Sequence, residues 1–87
     1  MTQPFSLTVR LAEPFRAGVG EQLTIDTPVR SIGELISVLE ERIPHFSSQN
    51  NELFNFAVNG ELILHDEKSV LLENGDEVEL LVAFSGG

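Results

Sequence analysis

A single stretch of helical period sits in a chain whose other apolar residues mostly recur at every second position. Ile32, Leu35, Ile36, Leu39 and Ile43 fall at i, i+3, i+4, i+7 and i+11, while Glu34, Glu40, Glu41 and Arg42 lie mostly elsewhere on the helix surface. Ser31-Ile32-Gly33-Glu34 reads as a capping box, in which the Ser hydroxyl and the Glu carboxylate each accept a bond from an otherwise unpaired backbone N–H, and Pro44 stops the helix. One amphipathic helix with no second helix to pack against must lay its stripe on one face of a sheet. Five helix side chains, each contributing roughly 1.5–3 kcal/mol when fully buried, then form the dominant share of the core.

The strands are legible from their alternation. Phe5, Leu7, Val9 and Leu11 alternate with Ser6, Thr8 and Arg10, and Leu23 and Ile25 alternate with Gln22, Thr24 and Asp26. Pro14, Gly18 and Gly20 lie between them, so the pair reads as a hairpin with a long loop. After the polar loop Ser47-Ser48-Gln49-Asn50-Asn51, Phe56 and Val58 run into the turn pair Asn59-Gly60, with Glu61 to Leu64 returning. His65 to Leu72 is a mixed crossover. Glu73-Asn74-Gly75-Asp76 is a second turn feeding a final strand, Glu77 to Phe84, whose apolar residues on both sides mark it as central. Strand, strand, helix, strand, short strand, strand is the order of an α+β β-grasp: a mixed sheet of four to five strands with one main helix on one face.

At 87 residues the chain holds one core. We read residues 1–84 as the domain and residues 85–87 as a flexible tail. Fourteen acidic residues against five basic ones leave a net charge of -9, which phosphate backbones and anionic membranes repel, so neither nucleic acid nor membrane is an expected partner. The acid suits a protein partner with a basic docking face, or serves solubility alone. The absence of cysteine removes thiolate catalysis, disulfides and thiolate metal sites together. No run approaches the ~18 apolar residues of a membrane helix, and the expected location is cytoplasmic.

Three stretches in order, Ser31-Ile32-Gly33-Glu34-Leu35-Ile36, Phe56-Ala57-Val58-Asn59-Gly60-Glu61 and Glu73-Asn74-Gly75-Asp76-Glu77-Val78, followed by a terminal Ser85-Gly86-Gly87, resemble the ubiquitin-like sulfur carriers of the MoaD/ThiS family. The resemblance covers nearly the whole chain. It implies a carrier that is not itself an enzyme, and has no catalytic residue and no bound cofactor. An E1-like partner uses ATP to adenylate the Gly87 carboxylate, a persulfide protein supplies sulfur, and the resulting thiocarboxylate serves a large synthase subunit or another acceptor enzyme. The small subunit of molybdopterin synthase is the nearest likeness. Many such carriers place prolines before the tail, where this chain has Leu80-Leu81-Val82-Ala83-Phe84. A thiamine-pathway or other sulfur carrier, a ubiquitin-like protein modifier, and a non-covalent binding module on the same fold are the alternatives.

Residue chemistry is compatible with that role. Glycine has no Cβ to obstruct entry into an enzyme channel, and Ser85, Gly86 and Gly87 extended reach about 10 Å at roughly 3.3–3.6 Å per residue. Taken alone, Gly86-Gly87 also reads as a frayed terminus. Phe84, Leu81 and Val82 read either as a docking patch beside the tail or as core. Val82 is assigned to the core, and Phe84 and Leu81 are kept as partner-docking candidates. His45 and His65 have no companion at ligand spacing, so no metal is expected. Gly18-Val19-Gly20 lacks the Gly-Lys-Ser/Thr continuation of a phosphate-binding loop.

Overall fold

Alternation becomes five strands in one mixed sheet in the computed structural model, which describes residues 4–16, 18–43, 46 and 54–82. The strands are β1 (Leu7–Leu11), β2 (Gln22–Ile25), β3 (Phe54–Val58), β4 (Glu61–Ile63) and β5 (Glu77–Val82), in the order β2-β1-β5-β3-β4. β5 is central, parallel to β1 and antiparallel to β3. β1–β2 and β3–β4 are the antiparallel outer pairs. Helix α1 (Ile32–Arg42) covers one face, and the arrangement is the β-grasp expected from the element order.

The helix is fastened at both ends by local chemistry. Ser31 is the N-cap, its Oγ accepting the Glu34 N–H at 3.2 Å, while Glu34 Oε2 accepts the N–H of Arg30 at 3.2 Å. The carboxylate therefore reaches one residue further back than in the usual box, where it would take the cap's own N–H. That segment is also tied to the crossover, since Ile32 N–H donates to the Val70 carbonyl and Leu72 N–H to that of Arg30. A 3-10 turn at Glu67–Ser69 sits so close that a Cβ on Gly33 would lie 3.1 Å from the Lys68 carbonyl oxygen. At the other end Ile43 is extended, at φ -106° and ψ 118°, as a residue preceding proline must be.

All five stripe residues are buried, against Leu7, Val9 and Leu11 of β1, Ile25 of β2, Phe54 and Phe56 of β3, and Val78 and Leu80 of β5. No polar or charged side chain is buried among the described residues. An aromatic row closes the core beyond the helix. Phe46 meets Phe54 at 4.9 Å between ring centres, and the Phe54 ring stands edge-on to Phe56 at 5.5 Å.

Several boundaries differ from the sequence reading. β1 begins at Leu7 because Ser6 is engaged elsewhere: its N–H donates to Asn74 Oδ1 and its carbonyl accepts the Gly75 N–H. Phe54 extends β3 backwards at the period of Phe56 and Val58, and its pairing with Val82 places it in the strand. β4 stops at Ile63, leaving Leu64 exposed. Val82 is a correction. Expected in the core, it is 37% exposed, because β1 leaves β5 after the pair Leu11–Leu80 and no described strand flanks β5 on that side from Leu81 onward. Pro44, His45, the Ser47–Asn51 loop, Ala83, Phe84 and the expected boundary at residue 84 lie outside the described residues.

Replacing the fully buried Leu39 with Ala should cost about 2–5 kcal/mol, read as a lower urea midpoint at unchanged slope.

Candidate functional site

The face of the sheet that α1 does not cover changes character from one edge to the other. Cross-strand register sets Gln22, Arg10, Glu79, Ala57 and Leu62 in one row from β2 to β4, polar at the β2 edge and apolar at the β4 edge. Arg10 Nε lies 2.7 Å from Glu77 Oε1, an exposed pair worth at most about 1 kcal/mol. In the next row Leu81 stands opposite Asn55.

A shallow, mostly apolar hollow opens there, lined by Ala12, Asn55, Leu62, Leu81 and Val82. Its cause is the departure of β1. Ala12 N–H makes a last bond to the Leu80 carbonyl at 2.9 Å, and the chain then turns into a 3-10 segment at Glu13–Phe15. Leu81 is thereby left half-buried, and Leu62 on β4 is 47% exposed. Leu81 and Ala12 also border a neighbouring depression that includes Arg10, Arg16 and Glu79. The turn holds Arg16 firmly. Its carbonyl accepts the N–H groups of Val19 and Gly20, and its side-chain Nε donates to the Leu11 carbonyl at 2.9 Å.

Of the residues singled out from sequence, Leu81 lies on this hollow and Val82 on its rim. Phe84, Ser85, Gly86 and Gly87 lie outside the described residues, as does His45. His65 is exposed. Among the described residues no group of His, Asp and Glu is arranged to hold a metal, and no helix is long and apolar enough to cross a membrane. Sequence reasoning missed Leu62, Asn55 and Arg16. Leu62 precedes Ile63, so either residue could face the core, and only the pairing of Ile63 with Phe56 and of Leu62 with Ala57 decides which one does.

At the far end of β5 the turns are locked together by polar bonds. Asn59 and Gly60 have φ of 50° and 85°, as a two-residue hairpin turn requires. Asn59 Oδ1 accepts the Glu77 N–H at 3.0 Å, and its Nδ2 donates to Asp76 Oδ1 at 3.1 Å. This fixes where β5 starts, and hence which of its residues reaches the hollow.

Comparison with known proteins adds an independent line. A family model described as the ThiS family matches residues 9–87. Among solved structures, a chain from the protein–protein complex of subunits 1 and 2 of the molybdopterin-converting factor of Helicobacter pylori is similar at 26% identity. It covers 94% of this chain and 99% of its own, with a TM-score of 0.64. A Haloferax volcanii protein shares the fold at 20% identity and TM-score 0.72, over 100% of this chain and 92% of that one. The small archaeal modifier protein 1 of Methanosarcina acetivorans does so at 23% identity and TM-score 0.65, over 99% of this chain and 100% of that one. No curated protein matches.

If Leu62 faces the open side, Leu62→Ser should leave the unfolding free energy within about 0.5 kcal/mol of the original. Leu80→Ala, one row away on the covered face, should cost about 2–5 kcal/mol in the same denaturant titration.

Proposed function

The chain belongs to the ThiS family, and from that premise we propose that it is a sulfur carrier loaded on the carboxylate of Gly87. The single observation that supports this most is a family match that runs through Gly87, on a fold whose central strand leads to the terminal residues. A free carboxylate is a poor electrophile. Attack of its oxygen on the α-phosphorus of ATP expels pyrophosphate and gives an acyl-adenylate. A persulfide then attacks the acyl carbon, the carbon–oxygen bond to AMP breaks, and a thiol cleaves the remaining sulfur–sulfur bond to release a thiocarboxylate.

In this reading the chain is the substrate, and every reactive group except the carboxylate belongs to other proteins. ATP is held by the E1-like activating enzyme. Gly18 and Gly20 have positive φ in the β1–β2 loop and serve the turn, without the lysine of a phosphate-binding loop. The persulfide and the thiol come from a sulfur-donating protein, and a synthase or other acceptor enzyme takes the sulfur. Location in the cytoplasm, where ATP is available, completes the proposal.

The similarity to a chain of a molybdopterin-converting factor, at 26% identity over nearly all of both chains, favours the small subunit of molybdopterin synthase as the specific role. Use as a protein modifier differs only in the final nucleophile, a lysine amine in place of sulfur.

Incubation with the activating enzyme, ATP and a persulfide donor should give an intact-mass gain equal to replacing one oxygen with sulfur. Deletion of Gly87 should abolish that gain without moving the thermal midpoint. A chain that acquires neither adenylate nor sulfur would end this reading, and an isopeptide-linked product in its place would favour the modifier.

A further inference from the structure

The chain contains two Asn-Gly pairs, Asn59-Gly60 and Asn74-Gly75, both in turns beside the start of β5. Each pair carries the groups for a self-modification. The glycine nitrogen, once it has lost its proton, attacks the asparagine Cγ. The bond from Cγ to Nδ2 then breaks, and the amide nitrogen takes up a proton and leaves as ammonia. Water opens the resulting succinimide at either carbonyl, giving aspartate or isoaspartate. Glycine favours this chemistry because it has no Cβ to shield the attacking nitrogen.

The two pairs are held very differently. Asn59 makes three bonds to the start of the central strand: its N–H donates to the Glu77 carbonyl at 2.7 Å, its Oδ1 accepts the Glu77 N–H at 3.0 Å, and its Nδ2 donates to Asp76 Oδ1 at 3.1 Å. The leaving nitrogen is itself tied down, and freeing it means parting β3 from β5 next to the pair Val58–Val78. Asn74 depends on a single residue. Its Oδ1 accepts the Ser6 N–H at 2.8 Å, and the attacking nitrogen, that of Gly75, donates to the Ser6 carbonyl at 2.8 Å. While that bond holds, the nitrogen keeps its proton and the reaction stalls. Ser6 is exposed and stands ahead of β1, so its release breaks no rung of the sheet. Openings of this kind lie at the low end of the range of local stabilities, and parting a central strand lies near the top.

We infer that Asn74-Gly75 is a self-modification site gated by Ser6, converting to aspartate or isoaspartate in the folded protein, whereas Asn59-Gly60 converts only when the sheet opens. The inference does not depend on the carrier reading. Aspartate at position 74 keeps an oxygen for the Ser6 N–H. Isoaspartate adds an extra backbone atom to the turn that the Asp76 N–H and the Glu73 carbonyl close, and so loosens the point from which β5 starts.

The test is incubation of the full chain at mildly alkaline pH, folded and in urea, followed by peptide mapping that separates asparagine, aspartate and isoaspartate at each position. In the folded chain Asn74 should convert about tenfold or more faster than Asn59, and in urea the two should convert at similar rates. Ser6→Pro removes the N–H that holds Asn74 Oδ1 and should speed conversion at position 74 further. Asn59 gauges global opening in the same sample and should be unchanged. Equal rates at the two positions in the folded chain would overturn the inference, and so would a gap that persists in urea, which would make it a property of the local sequence. A Ser6→Pro chain in which position 74 is no faster, or in which both positions accelerate together, would overturn it as well.

Discussion

The parallel pairing of β1 with β5 is the constraint from which the rest of the architecture follows. Val9 lies beside Val78 and Leu11 beside Leu80, so strands from opposite ends of the sequence share the centre of the sheet. Parallel neighbours cannot be joined by a tight turn. Here everything between them, a hairpin return, a helix and a second hairpin, serves as the connection. Placing α1 in that connection puts its apolar stripe on one face, and no second α-helix stands among the described residues for the other.

That asymmetry explains where usable surface remains. Over β1, the centre of β5 and β3 the covered face is apolar and closed, with Ile32, Leu35 and Leu39 fully buried against it. The open face has to be tolerable in water, and over β2, β1 and the start of β5 it is, with Thr8, Arg10, Gln22, Thr24 and Glu77 along it. Toward β4 it is not, since Leu62 and Leu81 border an unfilled hollow. The core is thus closed, and the remaining usable surface is a hollow beside the last described strand of a chain whose family is one of small carrier proteins.

Most of the fold was legible, because the relevant signals are local and repeated. The helix showed in five stripe residues and a cap, and the turns showed in Asn59-Gly60 and Asn74-Gly75, where positive φ is needed at Asn59, Gly60 and Gly75. The misses have a common origin. Phe54 keeps the period of Phe56 and Val58 but follows the equally apolar Leu53, Val82 looked like its strand-mates Val78 and Leu80, and Leu62 could not be told from Ile63. In each case the deciding quantity was what lies alongside in space, and periodicity is silent on that.

By itself the sequence determined the element order, the one-helix, one-sheet architecture, the absence of thiol chemistry, and a Gly86-Gly87 end resembling that of the sulfur carriers, because these depend on residue types and spacings along the chain. Only the tertiary structure decided that β1 abandons β5 after Leu80, that Leu62, Leu81 and Val82 consequently share a hollow, and that Arg16 borders the depression beside it while Arg10 is paired with Glu77. Those facts depend on the register between segments up to about 70 residues apart, and register is set by the joint packing of both faces, not by either segment alone.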